Sequence, residues 1–136
     1  MNRLPVKSIL NLSGQVALVT GANRGLGKAI AEVFTEAGIS VGLLARDKDQ
    51  LKRTVDQLRG QGAQCMALVA DVGEESEVKK AVECTVQEWG RLDILVNNAG
   101  LISPGPLAEI DPSMWNRIIQ SNLIGAYLCS RYAAPL

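Results

Sequence analysis

The chain has 136 residues, with 14 Lys and Arg against 14 Asp and Glu, 47% hydrophobic residues, three Cys and no His. This is the composition of one globular domain able to bury a core without disulfides or metal, so no metal site is expected. Zero net charge speaks against nucleic acid, which demands a basic surplus, and the lack of His removes the usual general base, the usual zinc ligand and any Ser-His-Asp arrangement.

In chain order, residues 1–14 carry Arg3 and Lys7 but no long apolar stretch or cleavage pattern, and they are expected to be a short extension leading into the first strand. Gln15 to Thr20 is an apolar run that reads as a strand buried on both faces. A Gly-rich turn follows, and then a helical stripe of Leu26, Ile30, Val33, Phe34 and Ala37 that stops at Gly38. Ser40 to Ala45 is a second strand, and Asp47 caps a helix with Leu51, Val55 and Leu58 inward, ending near Gly60 and Gly62. Cys65 to Ala70 is a third strand, followed by a helix from about Glu74 to Trp89 that turns Val78, Ala81, Val82, Thr85 and Val86 inward and stops at Gly90. Leu92 to Val96 is a fourth strand. After a Gly/Pro-rich loop from Ala99 to Pro106, Asp111 and Pro112 start one last helix running to about Ala133.

Strands alternating with helices on short loops specify a parallel sheet with right-handed crossovers. The expected fold is therefore an α/β, Rossmann-type doubly wound sheet in the order 3-2-1-4, stopping after the fourth strand and its following helix. The helices after strands one and two are expected on opposite sides of the switch point at strand one. Cys65, Cys84 and Cys129 contain no CxxC, which suits reduced thiols of a cytoplasmic protein. No segment nears the ~18 consecutive apolar residues of a membrane helix, so no membrane is expected.

The turn Thr20-Gly21-Ala22-Asn23-Arg24-Gly25-Leu26-Gly27 has GxxxGxG spacing at a strand-to-helix junction. Such a turn lets backbone amides and the positive end of a helix approach a pyrophosphate without a Cβ in the way. Three glycines in seven residues also simply make a tight turn, Asp71 can merely cap a helix, and the pair Asn97-Asn98 can satisfy loop backbone groups. All of them nevertheless fall at the carboxyl ends of the strands, where open parallel sheets bind ligands.

With these motifs the sequence resembles the short-chain dehydrogenase/reductase family, from Leu12 onward: TGxxxGxG at Thr20 to Gly27, the Asp after the third strand at Asp71, NNAG at Asn97 to Gly100, and the helix Asn at Asn122. The resemblance implies a dinucleotide-binding domain over residues 15–136, with Gly21, Asn23, Arg24, Gly25, Leu26, Gly27, Arg46, Asp71, Val72, Asn98, Ala99 and Gly100 on the cofactor. It implies hydride transfer between nicotinamide and a small carbonyl or alcohol substrate, of 3-oxoacyl reductase or general ketone/alcohol reductase type, and a homo-oligomer in the complete protein. NAD sites end the second strand on a carboxylate, but here that end reads Leu44-Ala45-Arg46-Asp47, with Arg24 as a second cation, so NADP(H) is favoured over NAD(H).

Of the family's catalytic set, a Ser, a Tyr with a Lys four residues later, and an Asn, the chain offers Asn122. Tyr127 is followed four positions on by Arg131, and both Tyr127 and Tyr132 share a helix with Asn122, so they are expected to be packing residues. The chain is thus expected to be the first half of a reductase, inactive by itself. The alternative is a truncated, non-catalytic protein that binds nucleotide or dimerises. A nucleotide-sugar epimerase, which usually spaces its glycines GxxGxxG, is the weakest of the three readings. Ending here would leave strand four as an exposed edge and the last helix with an apolar circumference too wide for one buried stripe, which favours self-association.

Overall fold

The computed structural model describes residues 12–136; most of the expected extension, residues 1–11, lies outside them. Four strands, β1 (Val16–Thr20), β2 (Ser40–Ala45), β3 (Cys65–Val69) and β4 (Ile94–Val96), form one parallel sheet in the order β3-β2-β1-β4. β1 lies between two partners and is buried at every position, as its unbroken apolar run requires. Among the described residues five α-helices follow the strands: α1 (Gly25–Glu36), α2 (Lys48–Gly60), α3 (Glu75–Trp89), α4 (Pro112–Ile119) and α5 (Gly125–Ala133).

Two cores flank the sheet. On one face Ala31 of α1 and Ala37 just past its end share a cluster with Leu51, Val55 and Leu58 of α2 over Ala17, Val19, Val41 and Leu43. On the other, Val78, Ala81 and Val82 of α3 and Leu128 and Cys129 of α5 pack on Leu18, Leu44 and Leu68. The helices after β1 and β2 thus lie on the same side, against the expectation from sequence. The chain steps outward twice in one direction, from β1 to β2 to β3, and two right-handed crossovers in one direction put both helices on one face; the opposite face is filled only when the chain returns to β4.

The inward stripe of α1 keeps Ile30, Phe34 and Ala37 of the expected set but not Leu26 and Val33. Leu26 is 70% exposed and Val33 36%, while Gly27 and Ala31 are buried. At Gly27 and Ala31 the helix lies too close to the sheet for a large side chain, while Ile30 and Phe34 pack, partly buried, against the same core. α2 follows the sequence: Asp47 accepts a hydrogen bond from the Gln50 amide at 2.9 Å, and Leu51, Val55 and Leu58 are buried. So does α3, with Val78, Ala81, Val82 and Thr85 buried and Gly90 at its end, although Val86 is only half-buried.

The single last helix expected from Asp111 is two helices, α4 and α5, joined by a π-helical turn at Gln120–Ile124. The turn adds a residue to the ladder and rotates α5 against α4, so the wide apolar circumference divides. Leu128 and Cys129 are buried, while Trp115, Leu123 and Tyr127 remain about half exposed or more. All three thiols are free, and burial pushes that of Cys129 up to about 11. Among the described residues no helix is long and apolar enough to cross a membrane, and no cluster of side chains could hold a metal.

Asp93 joins the start of β4 to the start of β1. Its Oδ2 accepts from the Val16 amide at 2.8 Å, and Arg91 donates to both of its carboxylate oxygens at 2.6–3.0 Å. The Arg91 guanidinium, helped by the Val16 amide, holds the Asp93 carboxyl below its ordinary value. A depressed carboxylate stabilises the fold fully above its unfolded value of about 4 and loses that contribution as pH falls through the folded value. Thermal melts from neutral pH into acid should show a loss of stability that Asp93→Asn makes shallower, with a lower melting temperature for Asp93→Asn at neutral pH.

Candidate active site

The carboxyl ends of all four strands open onto one cleft of about 590 Å³. Its walls include Gly21, Asn23, Arg24, Gly25, Arg46, Asp71, Val72, Asn98, Ala99 and Gly100, so ten of the twelve residues expected on a cofactor are brought together. Leu26 and Gly27 are not in the wall. Leu26 projects into solvent, and Gly27 is buried beneath the turn.

The turn is shaped by absent side chains. Gly21 has φ +65°, and a methyl group built on it would stand 2.9 Å from the side-chain nitrogen Nδ2 of Asn98. A methyl at Gly27 would collide with the Gly21 carbonyl oxygen and the same amide. No side chain caps α1, whose N-cap residue is Arg24. The first-turn amides of a helix have no partner within it, and here they open on a cleft whose rim bears Arg24 and Arg46. An uncapped helix start, a Cβ-free cradle and two guanidiniums together suit a pyrophosphate.

Thr20, at the end of β1, locks the turn to β4. Its hydroxyl donates to the Val96 carbonyl at 3.2 Å and accepts from the amides of Asn98 at 3.0 Å and Ala99 at 2.9 Å, which uses its full hydrogen-bonding capacity. The Asn98 side chain returns the bond, donating to the carbonyls of Thr20 at 2.8 Å and Gly21 at 3.3 Å. Asn98 therefore shapes the wall of the cleft while its amide group is spent on the scaffold. Asn97 turns away and donates to Ser130 of α5 at 3.1 Å.

Asp71 accepts from the Gly73 amide at 2.9 Å through Oδ1, and its Oδ2 lies 3.5 Å from Arg46 Nη1. Asn122 sits in the π-helical turn outside the cleft wall. Its side chain accepts from the Leu101 amide at 2.7 Å and donates to the Leu101 carbonyl at 3.0 Å, fixing the loop after Gly100. Neither tyrosine lines the cleft. Tyr127 accepts from Arg131, and Tyr132 donates to Glu75 at 2.7 Å, a bond that raises the pKa of its phenol.

Sequence reasoning missed Gln50, Thr54 and Ser121. Ser121 and Gln50 line the cleft. Asn23 donates to Gln50 at 2.8 Å, and the buried Thr54 hydroxyl donates to the Asn23 carbonyl at 3.0 Å, so α2 braces the turn from behind. The signal for Thr54 was a polar residue within the apolar stripe of α2.

The family model for short chain dehydrogenases matches residues 15–136. The chain belongs to the short-chain dehydrogenase family. An uncharacterized oxidoreductase of Thermotoga maritima is 40% identical over 123 residues, which are 90% of this chain and 48% of that protein. Among solved structures, a short-chain dehydrogenase/reductase of Burkholderia phymatum in complex with NAD matches with a TM-score of 0.90 at 32% identity, over 93% of this chain and 45% of that one. A 3-ketoacyl-(acyl-carrier-protein) reductase of Brucella melitensis complexed with NADH matches with a TM-score of 0.86 at 37% identity, over 91% of this chain and 50% of that one. The short-chain dehydrogenase chain described here thus spans about half the length of the relatives it matches.

The three hydrogen bonds of its hydroxyl make Thr20 the joint of the site. Thr20→Val keeps the volume but takes the acceptor from the Ala99 amide and leaves the Asn98 amide only its bond to the Val96 carbonyl, so it should lower unfolding stability by about 1–3 kcal/mol in urea titrations, and Thr20→Ser should recover most of the loss.

Proposed function

We propose that residues 15–136 are the nucleotide-binding part of a cytoplasmic, homo-oligomeric NADP(H)-dependent oxidoreductase. Its substrate would be a small carbonyl compound or the corresponding alcohol, in the manner of 3-oxoacyl or general ketone reductases. The observation that carries the cofactor assignment is the end of β2. There the small, buried Ala45 stands where an NAD site needs a carboxylate, and the exposed Arg46 follows on the cleft rim opposite Arg24. Asp47 is the nearest carboxylate in the chain, and it is engaged by the Gln50 amide as the cap of α2.

In this reading the glycine turn and the start of α1 hold the pyrophosphate, Asp71 and Val72 flank the adenine end, and Asn98, Ala99 and Gly100 form the wall toward the nicotinamide. The nicotinamide supplies or accepts the hydride when the cofactor is bound. Asn122 would act through the loop at Leu101, holding the cleft's far wall in position. No Tyr in this chain has a Lys four residues on. In this reading the chain by itself would bind nucleotide without turning over substrate.

NAD(H) is the second reading, favoured by the contact between Arg46 and Asp71 and by the NAD and NADH in the two matching structures. The two separate on one substitution. If Arg46 reads the 2′-phosphate, Arg46→Glu should cost NADP(H) about 1.5–3 kcal/mol of binding energy, the range of a charged hydrogen bond, and leave NAD(H) nearly unchanged. Dissociation constants for both nucleotides at one ionic strength measure this, and equal losses would favour NAD(H).

A second outcome concerns turnover. With NADPH and a ketone, the 136-residue chain should show no rate above the no-enzyme control, since general acid catalysis is typically worth about 100-fold to 10,000-fold. Turnover abolished by Asn122→Ala would contradict the assignment of the chain as nucleotide-binding only.

A further inference from the structure

Beside the cleft, a groove of about 380 Å³ runs between α1 and α2. It shares Asn23, Arg24, Gly25 and Gln50 with the cleft, so the two form one depression continuing over the glycine turn. Beyond that shared part the groove is walled by Lys28 of α1 and by Arg53 and Gln57 of α2. Three of its lining residues are cations and none is a carboxylate, in a chain whose formal net charge is zero.

The groove is built from fixed parts. Asn23 donates to Gln50 at 2.8 Å, and Lys28 donates to Gln57 at 2.9 Å, so neutral amide oxygens bridge the two helices. These bridges hold the walls without cancelling their charge. Arg24 and Arg53 make no ion pair among the described residues. Lys28 has Glu32 at 3.8 Å, one turn along α1 and outside the groove. Three cations around one small groove repel each other, and a ligand that brings several anionic oxygens relieves that repulsion. Two guanidiniums and an ammonium suit the tetrahedral oxygens of a phosphate better than a single carboxylate, because they offer more donors than a carboxylate can accept.

We propose that this groove is a phosphate subsite, read by Lys28 and Arg53 together with Arg24, that takes the phosphate monoester or diphosphate group of a small ligand. The phosphate either belongs to the nucleotide in the adjoining cleft or to a separate phosphorylated molecule. The proposal does not depend on the cofactor assignment, because the subsite can be probed with no nucleotide present.

The probe is inorganic pyrophosphate, titrated into the chain at fixed low ionic strength and followed by amide and side-chain NMR. Shifts should centre on Lys28, Arg53 and Gln57, which line the groove and not the cleft. The pair Lys28→Gln/Arg53→Gln should weaken binding about tenfold, the scale of lost charged hydrogen bonds. The pair Lys79→Gln/Lys80→Gln, which removes the same charge from exposed positions of α3, should change it less than about twofold, as expected of a distant screened charge. Equal losses in the two pairs, or shifts spread over the surface, would overturn the proposal. Circular dichroism and melting temperature check each variant. Should the first pair unfold, Arg53→Gln alone carries the test, with a loss of about threefold expected and no loss refuting it. NADPH and NADH then identify the source. If the groove takes the nucleotide's own phosphate, the first pair weakens NADPH alone and NADPH displaces pyrophosphate. If the ligand is separate, pyrophosphate still binds in the presence of either nucleotide.

Discussion

The site depends on how closely α1 approaches the end of β1. At Gly27 the helix lies directly on the Gly21 carbonyl and the Asn98 amide, with no room for a methyl group. That approach brings the uncapped start of α1 to the mouth of the sheet, where Arg24 and Gly25 become part of the cleft wall. It also explains why α1 buries Gly27 and Ala31 while leaving Leu26 in solvent. A helix packed by its large apolar residues would stand farther off, and its amides would be out of reach of a ligand lying across the strand ends. The burial lost on α1 is offset elsewhere, in the two continuous cores that hold the sheet between α1 and α2 on one side and α3 and α5 on the other.

Close packing alone would leave the turn free to shift, and polar bonds from three directions prevent it. Thr20 and Asn98 tie it to β4, the Ala22 amide donates to the Leu44 carbonyl of β2 at 3.2 Å, and Thr54 and Gln50 hold Asn23 from α2. No buried side-chain nitrogen or oxygen among the described residues is left without a partner. A polar network satisfied to that degree is rigid, which suits a cradle that must not reorganise when a charged ligand enters. Asn122 extends the same logic to the far wall. It uses both ends of its amide on one residue, Leu101, and the π-helical turn is what turns it toward that loop.

Much of this was legible in the sequence. The apolar runs of β1 and β2, the cap at Asp47, the stops at Gly38 and Gly90 and the glycine spacing each have a local cause, and local causes leave local marks. What was not legible arises between elements. The periodicity of α1 nominates Leu26 and Val33 for the core, since nothing in a stripe says how near the sheet will come. The extra residue at Gln120–Ile124 leaves no compositional trace; its partners, the Gly73 carbonyl held by Gln120 at 2.7 Å and the Leu101 backbone held by Asn122, are distant in sequence. The face taken by α2 was misjudged because it follows from the direction of successive crossovers rather than from any residue. Ten of the residues expected at the site line one cleft, while the bracing by Thr54 and Gln50 depends on how α2 lies against the turn.

The contact between Arg46 and Asp71 bears on how the cleft could discriminate between nucleotides. At 3.5 Å, with the two side chains 57% and 36% exposed, it is an open surface pair. Such pairs are worth about 0–1 kcal/mol, whereas a charged hydrogen bond to a phosphate is worth about 1.5–3 kcal/mol. A 2′-phosphate would therefore win Arg46 from Asp71 without difficulty. A ribose hydroxyl, as a neutral acceptor, offers the guanidinium less and would leave the pair largely as it is. Asp71 also keeps its bond from Gly73 when Arg46 moves, so its carboxylate is not left without a partner. Arg46 can thus rest against Asp71 and still make the phosphate contact proposed for it, because the pair it would give up is open and weak.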